Sequence, residues 1–140
     1  MDQPGNARLQ QIGSVLSPLK RRADAPKQGS EGAPNAQVQI EPAFLPALDG
    51  IRSGQEILLF TWLHEGQRDV LKVHPRDNPM NPLTGVFATR SPDRPNPIGL
   101  HRVWVLAVEP QGLLRVQGLE AIDGTPLVDI KPVLDPARDR

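Results

Sequence analysis

The stretch GLHRVWVLAVEPQGLLRVQGL, residues 99–119, decides the fold class. Its first half is apolar at both parities: Leu100, Trp104, Leu106 and Val108 fall on one, Val103, Val105 and Ala107 on the other. Successive strand side chains point to opposite faces, so this pattern predicts a central strand covered on both sides, with Trp104 in the core. EPQG (109–112) supplies a turn. In LLRVQGL, Leu114 and Val116 alternate with Arg115 and Gln117, which makes the two segments a hairpin.

Working outward, AQVQI (36–40) alternates Val38 and Ile40 with glutamines, as a half-buried strand does. EILLFTWLH (56–64) and DVLKVHP (69–75) read as two strands joined by a turn at Gly66. LQQIGSVL (9–16) reads as a first strand, and DGTP (123–126) turns the chain into LVDIKPV (127–133). EPAFLPALDGI (41–51) predicts one short helix in which Phe44, Leu45 and Leu48 share a face and Gly50 ends the element. Residues 17–35 have the composition of a long loop. Twelve glycines and sixteen prolines punctuate these segments. Many short strands at this spacing predict a mainly β protein, a small antiparallel or mixed β-barrel with one or two short helices and long loops. The 140 residues suit a single domain over 1–140, with 1–8 and 134–140 as frayed ends.

Composition narrows the function classes. The chain has no cysteine, which removes disulfides, thiolate metal sites and cysteine nucleophiles. Sixteen Lys and Arg balance sixteen Asp and Glu, so no global basic field drives nucleic-acid binding, and any such contact is local. Lys20, Arg21 and Arg22 form one basic run, read as a solvated charge cluster ahead of a binding patch. No apolar run approaches the roughly 20 residues of a membrane helix, and MDQPGNARLQQ lacks the apolar centre of a signal peptide. The expectation is a cytoplasmic protein without a membrane partner. His64, His74 and His101 are scattered relative to any metal-ligand spacing, and no metal is expected. No G-x-S-x-G elbow accompanies a serine. Trp62 and Trp104 sit inside apolar strands, a core pattern.

GVFATRSPDRPNPIGL, residues 85–100, carries Pro92, Pro95 and Pro97 between two apolar segments. Each proline fixes its own φ, removes an N–H and holds the preceding residue extended, so such a loop loses little entropy on binding. Its carbonyls lack ladder partners, and the expectation is that they face water or an N–H donor ligand. Arg90 and Arg94 offer planar forks for carboxylate or phosphate, and Asn96 can donate and accept.

The order TRSPDRPNPIGL resembles the signature of the TsaA-like family, also called TrmO-like. IGSVLSP (12–18) resembles that family's opening segment, APKQG (25–29) its Pro-Arg-Gln motif, and IDGTPLVDIKP (122–132) its closing motif. The resemblance runs from about Ile12 to Val133. Lys27 stands where arginine is usual and Val133 where tyrosine is common. The family resemblance implies a β-barrel methyltransferase that binds S-adenosyl-L-methionine at a homodimer interface, with no dinucleotide-type fold, and this chain has no G-x-G-x-x-G. The implied reaction is N6-methylation of N6-threonylcarbamoyladenosine beside the anticodon of tRNA. In longer bacterial members a C-terminal region beyond the matched segment helps make the tRNA-facing surface.

Carried over, the resemblance implies cofactor contacts at Pro26, Lys27 and Gln28, at His64 and Glu65, at Arg90, at Leu100, and at Glu120, Ala121, Ile122 and Asp123. Arg94, Asn96 and Lys131 are candidate substrate contacts. Asp123 and Asp129 are candidate proton acceptors, since an acceptor nitrogen with a delocalised lone pair needs its proton taken. Two other readings stand beside these: Asp123 shapes the Asp-Gly turn, and Asp129 with Lys131, alternating on one strand face, is a structural ion pair. Two alternative functions stand beside the tRNA reaction, a cofactor-binding regulatory module and a methyltransferase with a small-molecule acceptor.

Overall fold

A computed structural model describes residues 7–20, 35–135 and 137. Six strands close a barrel: β1 (Gly13–Leu16), β2 (Ala36–Ile40), β3 (Glu56–Trp62), β6 (Ile98–Glu109), β7 (Leu113–Gln117) and β8 (Pro126–Pro132). Around the barrel the order is β1-β2-β7-β6-β3-β8, and every pairing is antiparallel. The strands β4 (Lys72–Val73) and β5 (Thr84–Gly85) form a separate two-stranded sheet. No helix among the described residues is long and apolar enough to cross a membrane.

The inward residues follow the period of two. Val38 and Ile40, Ile57 and Leu59, Val103 and Val105, and Leu114 and Val116 are all 2% exposed or less. Burying each such side chain contributes about 1.5–3 kcal/mol, so the barrel interior is the stability of this fold. The hairpin predicted from residues 99–119 forms as β6 and β7 around the turn Pro110–Gly112.

Four expectations are corrected. Residues 56–64 and 69–75 do not pair. Both edges of β3 are already taken, by β6 and β8, so the following segment yields only Lys72–Val73, which pairs with Thr84–Gly85. Residues 41–51 form a 3-10 helix, Pro42–Leu48, because Pro46 lacks the N–H an α-helix interior requires. Phe44, Leu45 and Leu48 do pack against the core, as predicted. The first strand begins at Gly13 rather than Leu9.

The fourth correction concerns β6, which is buried on one face only. Trp104 is 50% exposed, and Ile98 also lies on the outside. The two-sided apolar pattern has a double origin. Leu106 is an extra residue at a bulge opposite β7, which shifts the parity after Val105. Before the bulge, the outward side chains form an apolar stripe with β3, where Leu100 pairs with Phe60 and Ile98 with Trp62.

Candidate active-site cleft

One end of the barrel opens into a cleft of about 280 Å³ built by five segments: residues 63–66 after β3, the wall 74–77, the proline loop 90–92, His101 of β6, and residues 120–122 with Thr125 before β8. Of the residues named from sequence, His64, Glu65, Arg90, Glu120, Ala121 and Ile122 line it together. They come from separate segments, so only folding brings them together.

The proline loop is a rigid wall stitched to the turn beside it. Arg94 donates through Nη1 to the carbonyls of Thr89 and Ser91, both at 3.0 Å, and its backbone N–H donates to Gln67 O at 2.9 Å. Gln67 N–H in turn donates to Asp93 Oδ1 at 2.9 Å. Arg68 donates through Nε to Pro95 O at 2.7 Å and through Nη2 to Asn96 Oδ1 at 3.1 Å, with its guanidinium 5.1 Å from the centre of the Trp62 ring. Leu63 N–H donates to Pro97 O at 2.7 Å. The expectation that this loop offers free carbonyls is therefore corrected: those of Thr89, Ser91, Pro95 and Pro97 receive donors from the chain itself. Gly66 lets the two layers meet, since a Cβ there would collide with Pro92 O.

Arg90 projects from this wall and donates through Nη2 to the carbonyl of Leu100 at 2.6 Å. Leu100 is thus tied to the cleft through its backbone, while its side chain belongs to the outward parity of β6 and is absent from the lining. Arg94 and Asn96 lie within the loop bracing just described. The side chains of His64 and Glu65 are both partly exposed, with Nε2 and Oε2 at 4.0 Å.

Asp123 lies behind the lining. Its Oδ1 accepts the backbone N–H of Ser17 at 3.0 Å and its Oδ2 pairs with Lys20 Nζ at 3.0 Å. These two contacts, the Ser17 N–H first, hold its carboxyl below the usual carboxylate range. Asp129 pairs with Lys131 at 3.3 Å on β8, away from the cleft. Pro26, Lys27 and Gln28 lie outside the described residues.

The feature that sequence reading missed is at the cleft floor. Thr61 Oγ1 lies 2.6 Å from His101 Nε2, and His101 Nδ1 lies 2.5 Å from Glu120 Oε1. Thr61 is 0% and His101 4% exposed. Parity was the available signal. Thr61 shares the inward face with Ile57 and Leu59, and His101 shares it with Val103 and Val105, so two polar side chains were committed to a hydrophobic interior. All three histidines judged scattered in sequence line this one cleft, though among the described residues no group of three or more His, Cys, Asp and Glu is placed to hold a metal ion.

The profile of the tRNA-methyltransferase O N-terminal domain matches residues 14–139. This chain belongs to that family. Among curated relatives, a probable S-adenosyl-L-methionine-binding protein of Methanothermobacter thermautotrophicus is 45% identical over 125 residues, 89% of this chain and 88% of its own. The probable S-adenosyl-L-methionine-binding protein VirR of Rhizobium radiobacter is 39% identical, covering 94% of this chain and 74% of its own. The crystal structure of TrmO from Pseudomonas aeruginosa aligns with a TM-score of 0.73 at 28% identity, covering 95% of this chain. This TrmO-family chain spans 58% of the length of that TrmO.

Proposed function

We propose that this chain binds S-adenosyl-L-methionine in the cleft and transfers a methyl group to N6-threonylcarbamoyladenosine in tRNA. The observation that carries the reading is the convergence of His64, Glu65, Arg90, Glu120, Ala121 and Ile122 on one cleft.

The donor set fits the cofactor. A carboxylate needs a guanidinium, which Arg90 provides from a braced loop. An ammonium and a sulfonium need acceptors, and Glu65 and Glu120 are the carboxylates at hand. An adenine needs an apolar slot, which Leu63, Pro92, Ala121 and Ile122 offer. When bound, the cofactor supplies an electrophilic methyl group and keeps the electron pair of the breaking S–C bond on sulfur. The chain's own contribution is alignment, and a loop fixed by Arg68 and Arg94 serves it because misorientation of the reacting groups is expensive.

A homodimer belongs to this reading. The family resemblance puts the cofactor at an interface between two copies of the chain, so a second copy would complete the site. The outward stripe of Phe60, Trp62, Ile98, Leu100 and Trp104 gives such a copy an apolar surface to cover.

Two measurements test the reading. Calorimetric titration with S-adenosyl-L-methionine should give saturable binding, and absence of binding at millimolar concentration removes it. Mass analysis of tRNA nucleosides from cells lacking the gene should show loss of the methylated form. An unchanged methylated fraction would leave the second reading, a cofactor-binding module, which the binding-only names of the curated relatives favour.

A further inference from the structure

We propose that Glu120 is the proton acceptor of the transfer and that His101, itself fixed by Thr61, is the residue that positions it. This rests on the methyltransferase reading above.

An ionised carboxylate only accepts hydrogen bonds, so the hydrogen between His101 and Glu120 belongs to Nδ1. In the neutral ring Nε2 carries the lone pair and receives the Thr61 hydroxyl hydrogen. The chain runs one way, from Thr61 O–H to Nε2 and from Nδ1–H to Glu120 Oε1, and sets the tautomer of the ring. Glu120 Oε2 has no hydrogen-bond partner among the described residues, and Glu120 lines the cleft with its side chain 16% exposed. One oxygen is therefore held from behind while the other is available to an occupant.

The fold gives up packing to make this arrangement. A polar side chain at an inward barrel position is destabilising if left unpaired, and here every buried side-chain polar atom among the described residues has a partner. Gly99 makes the room, since a Cβ there would strike Thr61 Oγ1 and lie 2.7 Å from His101 Nε2. The β3–β8 register shifts between Phe60 and Thr61, so a bulge sits beside the relay. A glycine, a bulge and two buried polar side chains converge on the orientation of a single carboxylate.

The step is a proton transfer. As the lone pair of the acceptor nitrogen forms its new N–C bond, its N–H electron pair returns to nitrogen and the proton moves to Glu120 Oε2, giving a neutral carboxylic acid. His101 keeps its Nδ1 hydrogen throughout.

The test compares wild type with Glu120→Gln, His101→Ala and His101→Asn. Asparagine places an amide N–H near the Nδ1 position and so restores a donor to Glu120. Cofactor affinity is measured by calorimetry, the His101 Nδ1 proton by NMR of the cofactor-free protein, and kcat and KM with tRNA carrying N6-threonylcarbamoyladenosine. In the expected outcome H101A lowers kcat on the order of 10²-fold or more with KM and cofactor affinity nearly unchanged, and E120Q, assayed at saturating cofactor, lowers kcat at least as far. H101N recovers much of what H101A loses, and the downfield Nδ1 proton of wild type shifts upfield in E120Q. A fully active E120Q, or one that loses cofactor affinity at unchanged kcat, overturns the proposal and leaves the methyltransferase reading intact. So does equal impairment of H101A and H101N, which would reduce His101 to packing. A wild type that binds cofactor yet methylates no tRNA overturns both readings.

Discussion

Asp123 accepts the backbone N–H of Ser17, 106 positions away in sequence, tying the turn before β8 to the end of β1. Lys20 approaches its other oxygen at 3.0 Å, and Asp123 N–H donates to Leu19 O. The contact is a brace, and its stability has a pH signature. Because the folded carboxyl is held below its ordinary value, the contribution is present above the unfolded pKa and is lost as pH falls through the folded one. Asp123→Ala should destabilise by about 0.5–1.5 kcal/mol at neutral pH, with the difference from wild type shrinking in acid. Urea unfolding at pH 7 and in acid checks it, and a difference that grows in acid would reverse the sign.

Arg94 should matter more to the loop than to the ligand. Its guanidinium is used on Thr89 O and Ser91 O, so Arg94→Ala removes two charge-assisted hydrogen bonds from the wall that carries Arg90. Hydrogen exchange should accelerate across residues 89–98, and cofactor affinity should fall without loss of any direct contact. Arg94→Lys should recover little, since an ammonium lacks the planar fork. Unchanged exchange in R94A would mean the prolines alone fix the loop.

In the proposed reading Arg90 is the direct contact to the cofactor carboxylate. Its Nη2 donates to Leu100 O, and the residue lines the cleft. Arg90→Ala should weaken binding of S-adenosyl-L-methionine by about 1.5–3 kcal/mol, as expected for a charge-assisted hydrogen bond to a carboxylate. Calorimetry reads this, and a melting profile like that of wild type separates it from unfolding.

The barrel was legible where one face is buried and the other is not. In residues 36–40 and 113–117 the alternation of apolar and polar residues is the fold. It was illegible where no period exists, as in the two-residue strands β4 and β5, and where proline decided helix type at Pro46. It misled where the outside of the barrel is apolar too, as at Trp104. Most of the cleft came from matching motifs rather than from physics, because nothing in a linear pattern shows that Glu65, Arg90 and Glu120 meet. Thr61 and His101 were within reach of a parity argument, which needs only the observation that each shares a face with buried valines, leucines or isoleucines.

The exposed stripe makes the last prediction. Trp104 is half exposed and pairs laterally with Glu56 of β3 and Gln117 of β7, while Arg102, one parity step away, closes a bidentate pair on Glu56 at 2.6 and 2.9 Å. The surroundings are therefore structured without the indole, and Trp104→Asp should leave the barrel interior untouched. If a second copy covers Phe60, Ile98 and Trp104, wild type should sediment as a dimer and melt at a temperature that rises with concentration, and W104D should do neither. The same variant should bind S-adenosyl-L-methionine more weakly, because Leu100, whose carbonyl holds Arg90, lies on that stripe beside the cleft. A wild type that stays monomeric at tens of micromolar and still binds cofactor tightly would show that one chain suffices.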